Sequence, residues 1–273
     1  MQTADIVVIG AGIAGASAAA ELAQNAKVVV LEREPQPGYH ATGRSAAYFA
    51  ASYGKPVIQA LSACSEGLLT TPPESFTDVA LLRPRDYVIF GREDQAESLQ
   101  AEHRRNPHLE VMDLAELHRR VPIFTDGYIH GALHDPRGGD LDVDALLQAY
   151  LRRFRRAGGQ LMNNQAVTGL EFSAGAWRVQ TAAGVFQAPV VVNAAGAWVE
   201  QVSRMAGLES LGIQPLRRTA LTIAAPAGVK IDDWPEMFDV DEEFYFKPDA
   251  GQILISPADK TPTEPCDAQP EEL

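Results

Sequence analysis

Cysteine is nearly absent from this 273-residue chain: Cys64 and Cys266 lie far apart, in no C-x-x-C or metal-like spacing. That excludes a disulfide framework and a cysteine-built zinc site. The expectation is two reduced, packed thiols in a cytoplasmic protein. Positive charge is short as well. Against 36 acids stand 23 lysines and arginines, a net charge of −13, so a phosphate backbone or an anionic membrane is repelled overall and nucleic acid is not expected as a partner. No apolar run reaches the roughly 18 residues that a membrane span needs, so no transmembrane segment is expected. Ile6 to Ala20 is apolar enough to mimic a signal-peptide core, but Asp5 precedes it, a basic leader is missing and glycines punctuate it. His103, His108, His118, His130 and His134 show no ligand spacing, and no metal is assigned. What remains, 46% hydrophobic and 22% charged, is an ordinary globular composition with enough chain to bury a real core.

What is present is concentrated near the start. Asp5–Ile9 is a β-branched run that ends in Gly10-Ala11-Gly12-Ile13-Ala14-Gly15, and an alanine-rich segment to Gln24 follows. A second run, Lys27–Leu31, ends in Glu32 and Arg33. Gly10 permits the tight turn out of a strand, Gly12 lets a pyrophosphate approach the backbone, and Gly15 lets the helix pack closely on the sheet. The helix start points unsatisfied N–H groups and a positive dipole end at phosphate. Glu32, at about the expected spacing of 20 residues, is placed to accept ribose hydroxyls. Taken alone, these glycines would serve a nicotinamide-dependent enzyme as well as a flavin enzyme.

Downstream, Tyr39-His40-Ala-Thr42-Gly43-Arg44-Ser45-Ala46-Ala47 is a small-residue loop suited to close approach by a flat ligand. Lys55–Leu69 carries Val57, Leu61, Cys64 and Leu68 at helical spacing, the pattern of an amphipathic helix. Tyr87–Phe90 reads as a strand, Glu93–Arg105 as a polar helix, Asp113–Glu116 as a capping box and Tyr128–His134 as a strand. Asp135–Asp140 reads as a turn. Asp142 caps a helix whose Val143, Leu146, Leu147, Tyr150, Leu151 and Phe154 share one face. The arginines at its end complement the helix dipole rather than form a nucleic-acid patch. From Gln160 the pattern turns to a meander through Ala188, then to a buried run, Pro189–Asn193, and a second small-residue turn, Ala194–Trp198. Leu216–Ala224 alternates as one strand, Glu243–Lys247 and Gln252–Ser256 make a hairpin, and Asp259 to Leu273 reads as a disordered tail.

Together, VVVLEREPQPGYHATGRSAA, the Val191–Trp198 turn and FYFKPDAG resemble the FAD-dependent oxidoreductases of the D-amino-acid oxidase superfamily, and within it the bacterial D-arginine and D-amino-acid dehydrogenases. The resemblance covers nearly the whole chain. It implies an α/β fold: a Rossmann-like FAD-binding domain (1–80 and 135–210) with an interleaved α+β substrate domain (81–134 and 211–258) on a mostly antiparallel sheet, and a tail (259–273). The implied cofactor is FAD. Gly10, Ala11, Gly12, Ile13, Ala14 and Gly15 would hold its pyrophosphate, and Glu32 and Arg33 its ribose end. His40, Thr42, Gly43, Arg44, Ser45 and Ala46 would line the ribityl chain and flavin ring, Ala166 and Val167 the adenine, and Ala195, Gly196 and Trp198 the rest of the tunnel.

The same resemblance implies that Arg218 and Tyr245 bind a substrate carboxylate and that Tyr53 sits on a loop closing over it. Tyr48 and Tyr87 stand where relatives that prefer cationic substrates have a histidine and a glutamate, which points to an apolar or aromatic-tolerant pocket. The implied reaction is oxidation of a D-amino acid by hydride transfer from its α-carbon to the flavin, with hydrolysis of the imine and an unidentified electron acceptor. Two alternatives stand beside it. One is a glycine, secondary-amine or hydroxy-acid oxidoreductase of the same fold. The other is a non-catalytic FAD-binding fragment, because relatives continue past the FYFKPDAG hairpin into segments absent before Leu273.

Overall fold

The computed structural model describes residues 1–269. Its first layer is a four-stranded sheet in the order Gln160–Met162, Val28–Leu31, Ile6–Ile9, Val190–Asn193, every pairing parallel. Parallel strands are covered on both faces, which is why these runs are apolar without alternation. On one face lie the helices Ile13–Leu22 and Val143–Arg156, where Ala16, Ala19 and Ala20 let Leu147, Leu151 and Phe154 close in. On the other lies the antiparallel meander Val167–Ser173, Ala176–Thr181, Gly184–Ala188, whose Val179, Phe186 and Ala188 pack on Val7, Val29 and Leu31. Asp142 accepts the Ala145 N–H at 2.8 Å and starts the long helix as its sequence predicts.

The second layer is a seven-stranded sheet in the order Leu221–Ala224, Gln252–Ser256, Tyr245–Asp249, Glu236–Asp239, Tyr87–Gly91, Gly131–Asp135, Glu110–Val111. It is antiparallel except where Glu236–Asp239 runs beside Tyr87–Gly91. One face buries Val88, Phe90, Met237 and Phe246 under Trp234, Leu117 and Val121. The opposite face carries Tyr87, Phe238 and Tyr245, which pack with Ala46, Tyr48 and Ala50 from the loop that precedes the Pro56–Thr70 helix. A three-stranded patch, Tyr48–Phe49, Gly139–Leu141 and Leu82–Pro84, joins the layers.

Several expectations need correction. Cys64 and Cys266 are free but exposed rather than packed. The helix over Pro56–Thr70 forms, yet Val57 and Leu61 are exposed. Gln59 turns the other side inward by donating to Ser52 O and Asn106 Oδ1; Leu69 joins the core and Leu68 packs against it. Leu216–Ala224 is two short strands, Leu216–Arg217 and Leu221–Ala224. Asp135–Asp140 is not only a turn, since Gly139–Leu141 pairs on both sides. The expected tail is placed through residue 269: Thr261–Pro262 pairs with Leu216–Arg217, and Asp259 Oδ1 accepts the Thr219 N–H at 2.6 Å. Residues 270–273 lie outside the described residues. Glu236–Asp239, a buried strand, had no counterpart in the sequence reading, because acids on both sides hide its apolar pair Met237-Phe238.

Candidate functional site

Two cavities meet where the layers face each other. The larger, about 640 Å³, runs along the ends of the parallel strands; the smaller, about 260 Å³, lies against the seven-stranded sheet. Ala46, Arg218 and Tyr245 line both.

The glycine turn forms the floor of the larger cavity. Gly10 has φ +101°, and a Cβ there would meet Ala194 O at 2.5 Å. At Gly15 a Cβ would lie 1.9 Å from Gly10 O, so the helix can approach the turn only without a side chain. Gly12 faces the cavity, and its Cβ would meet only Thr42 Oγ1, at 3.2 Å. A methyl there would fill the cradle in front of the helix start. Thr42 Oγ1 also accepts the Ile13 N–H at 3.1 Å, which ties the small-residue loop to the helix. Glu32 is buried, and its carboxylate accepts the Ala11 N–H at 2.8 Å and the Glu34 N–H at 2.9 Å. It therefore anchors the turn while still lining the cavity.

Arg33, His40, Thr42, Arg44, Ser45, Ala46, Ala166, Val167, Ala195, Gly196 and Trp198 line the same space, with Gly10, Gly12 and Glu32. Ala11, Ile13, Ala14, Gly15 and Gly43 do not line it: Ala11 and Gly15 are buried behind the turn, Ile13 is half-buried, and Ala14 and Gly43 are exposed. Gly43 is held close by its N–H to Gly38 O at 2.7 Å. At one end the Arg33 guanidinium lies 4.6 Å over the Trp198 ring, and the His40 ring packs against the same indole, centroids 4.5 Å apart and tilted by 49°. Arg44 is bound to Asp267 Oδ1 at 2.6 Å and to Ala268 O at 2.8 Å, which brings Thr263–Cys266 into the cavity wall. The second turn is built by Asn193, which donates to Val199 O at 2.9 Å and accepts the Ala195 N–H at 3.3 Å. An elongated, mainly apolar cavity with a side-chain-free cradle at a helix start and an acid at the second strand end fits a dinucleotide such as FAD.

The smaller cavity gathers the remaining candidates from distant parts of the chain. Tyr48, Tyr53, Tyr87, Arg218 and Tyr245 all line it. The Arg218 guanidinium lies 5.9 Å from the Tyr245 ring centroid, with its Nε on Asp259 O at 3.3 Å. Tyr53 is half exposed and stands edge-on to Phe238 at 5.9 Å. The Tyr48 hydroxyl donates to Arg85 O at 2.7 Å, and the Tyr48 and Tyr87 rings are 6.0 Å apart. Burial, reinforced by the nearby Glu236 carboxyl, pushes both phenols well above their ordinary pKa, so they stay neutral.

One wall residue escaped the sequence reading. Glu236 is 5% exposed, lines the smaller cavity and sits opposite Tyr87 in strand register. Burial pushes its carboxyl up to about 8, with Asp140 adding to the rise and Lys247 and Arg85 opposing it. Its Oε2 is buried without a hydrogen-bond partner. The signal available in sequence was an acid two residues before Phe238 in a short apolar window, too weak to separate from the surrounding loop acids.

Comparison with known proteins agrees with this geometry. The DAO family model, described as FAD dependent oxidoreductase, matches residues 5–273. The L-2-hydroxyglutarate dehydrogenase of Indibacter alkaliphilus is 26% identical over 77% of this chain and 54% of its own length. The human mitochondrial dimethylglycine dehydrogenase is 27% identical over 54% of this chain and 17% of its own length. The chain thus spans about half, or much less, of these curated relatives. Among solved structures, the Geobacillus kaustophilus glycine oxidase superposes with TM-score 0.79 at 20% identity, covering 96% of this chain and 72% of that one. The L-alpha-glycerophosphate oxidase of Mycoplasma pneumoniae, with FAD bound, superposes with TM-score 0.83 at 17% identity over 96% and 72%. These relatives carry the general resemblance without singling out D-arginine dehydrogenases. Among the described residues no helix is long and apolar enough to cross a membrane.

Proposed function

This chain belongs to the DAO family of FAD dependent oxidoreductases, and on that premise we propose that it oxidises a D-amino acid to the imino acid. In this reading residues 1–80 and 135–210 carry the cofactor, and 81–134 with 211–258 carry the substrate. The observation that supports it is the gathering of Arg218, Tyr245, Tyr48, Tyr53 and Tyr87 around one small cavity that opens into the glycine-floored one.

Each side chain has a task that its position suits. The Arg218 fork takes the substrate carboxylate, since two parallel N–H donors match two oxygens. Tyr245, 5% exposed beside it, fixes the clamp and supplies a phenol at the junction of the cavities. Phe238, stacked on Tyr245, forms the wall beside the α-carbon, Tyr48 and Tyr87 face the part of the substrate remote from its carboxylate, and half-exposed Tyr53 stands where a closing loop would seal the site. The turn at Gly10–Gly15 with Glu32, and the loop Thr42–Ala46, would hold FAD across the larger cavity. Bound FAD would supply the acceptor for the α-hydride, while the amine lone pair forms the C=N of an imine that water hydrolyses to 2-oxo acid and ammonia. Orientation and a dry site are the protein's share of the rate.

A second reading, oxidation of a 2-hydroxy acid, is favoured by the match to an L-2-hydroxyglutarate dehydrogenase over 77% of the chain. Both need the same carboxylate clamp. Anaerobic addition of substrate to the FAD-loaded protein separates them. Bleaching of the flavin bands by D-amino acids supports the first. Bleaching by L-2-hydroxyglutarate alone supports the second, and bleaching by glycine or sarcosine alone points to the small-amine members of the family.

A further inference from the structure

The two cations nearest Glu236 are already committed. Arg85 donates from Nε to Asp140 Oδ2 at 2.7 Å, and through Nη1 to Asp232 O at 3.0 Å and to Trp234 O. Lys247, 1% exposed, places Nζ 3.0 Å from Asp140 Oδ1 and 3.4 Å from Asp249 Oδ1. Arg85 and Lys247 are therefore balanced by Asp140 and Asp249, and Glu236 is the acid left over. The other groups facing it, Tyr48 and Tyr87, are neutral phenols, and the Tyr48 hydroxyl is spent on Arg85 O. A buried carboxyl oxygen with no partner costs free energy, so a native chain that keeps one on a cavity wall calls for an explanation from the cavity.

Register fixes where that wall stands. Phe238 pairs with Tyr245, and Glu236, two residues earlier on the same strand, points to the same face roughly 7 Å along it. One end of the cavity therefore carries Arg218 and Tyr245, and the other carries Glu236 with Tyr48 and Tyr87. Aromatic walls between two opposite charges suit a substrate with an anion at one end, a methylene chain, and a cation at the other. We infer that Glu236 is a specificity-determining residue that pairs with a protonated basic group at the substrate end remote from its carboxylate, so that the site selects amino acids with a cationic side chain. The inference rests on reading Arg218 and Tyr245 as the carboxylate clamp. It also reverses the expectation of an apolar pocket: the carboxylate absent at position 87 is supplied from the neighbouring strand, at the residue paired with Tyr87.

The neutral form that burial favours in the empty site ionises when the cation arrives. Binding below the raised pKa therefore releases a proton.

The test uses the FAD-loaded protein and two ligands with no α-amine to oxidise: 6-aminohexanoate and hexanoate, which differ by a terminal ammonium. Calorimetry at pH 7 should show 6-aminohexanoate binding at least tenfold tighter. In buffers of different ionisation enthalpy it should release about one proton per site. Glu236→Gln, which keeps the volume, should abolish both the discrimination and the proton release and leave hexanoate binding within threefold. Equal affinities in the wild type, no binding of either ligand, or discrimination that survives Glu236→Gln would each overturn the assignment. D-Lysine and D-norleucine are then tried as substrates. If 6-aminohexanoate is discriminated but neither amino acid bleaches the flavin, the role of Glu236 stands and the amino-acid oxidation reading fails.

Discussion

Glu32 and Glu236 are both buried glutamates on cavity walls, and they are handled in opposite ways. Glu32 ends a parallel strand, and its two carboxylate oxygens accept the Ala11 and Glu34 N–H groups. Glu236 opens a strand of the second sheet, keeps one oxygen without a partner and has its carboxyl pushed up to about 8. The first is structural support that a ligand adds to. The second is a cost that a ligand removes. The contrast runs through the regions they belong to: the glycine-floored cavity is braced by its own backbone, whereas the smaller cavity is held open by side chains from positions 48 to 245.

The largest effect that bears on the contrast is expected in the braced region. Gly15→Ala puts a methyl 1.9 Å from Gly10 O in a turn that cannot yield, because Gly10 itself sits at φ +101° against Ala194. We expect a loss of about 3 kcal/mol of stability together with loss of retained FAD, read by thermal melting and by flavin absorbance after desalting. In the other region, Arg218→Ala should leave FAD retention and the melting temperature nearly unchanged. It should lower kcat/KM for the substrate roughly 100-fold, about 3 kcal/mol, by removing a charge-assisted contact. A loss of FAD in this variant would erase the distinction between the two cavities.

Glu236 gives a pH signature. Its carboxyl titrates near 8 when folded and near the ordinary carboxylate range when unfolded, so between these values the folded chain binds more protons than the unfolded one. Stability contributed by this group is therefore full below about pH 4.5, falls as pH rises and levels off above about pH 8. Glu236→Gln should flatten that slope and be more stable than wild type at pH 8 by a few kcal/mol, read from denaturant midpoints across pH. Glu32→Gln should destabilise instead, by about 1–2 kcal/mol, because an amide NH2 replaces one carboxylate oxygen and leaves a backbone N–H without its acceptor. Smallest of all, Tyr48→Phe removes one hydrogen bond to Arg85 O and should cost about 1 kcal/mol without changing FAD content.

The two regions also differ in how far they could be read from sequence. Gly10, Gly12, Gly15 and Glu32 state their roles locally, since a turn, a close approach and a strand end are each fixed by a few neighbouring residues. The parallel sheet, its meander and the helix capped by Asp142 followed from the same kind of local pattern. Glu236 could not be found that way. Its meaning comes from Tyr87, which lies far away in sequence and opposite in register, and from cations already taken by Asp140. The helix over Pro56–Thr70 shows the same limit: its period was legible, but the Gln59 contacts that turn Val57 and Leu61 outward involve Ser52 and Asn106. Likewise Asp259 and Thr261–Pro262 are placed by pairing with residues 216–219, which the composition of the tail does not announce.

In this reading the two cavities are one site, the larger for FAD and the smaller for a carboxylate-bearing substrate. Anaerobic mixing of FAD-loaded protein with D-amino acids, followed by absorbance in the flavin bands, tests it directly when wild type and Arg218→Ala are compared. Both proteins should hold the flavin, wild type should be bleached, and Arg218→Ala should be bleached roughly 100-fold more slowly at low substrate. Equal bleaching of the two proteins, or a wild-type chain that cannot retain FAD, would contradict it.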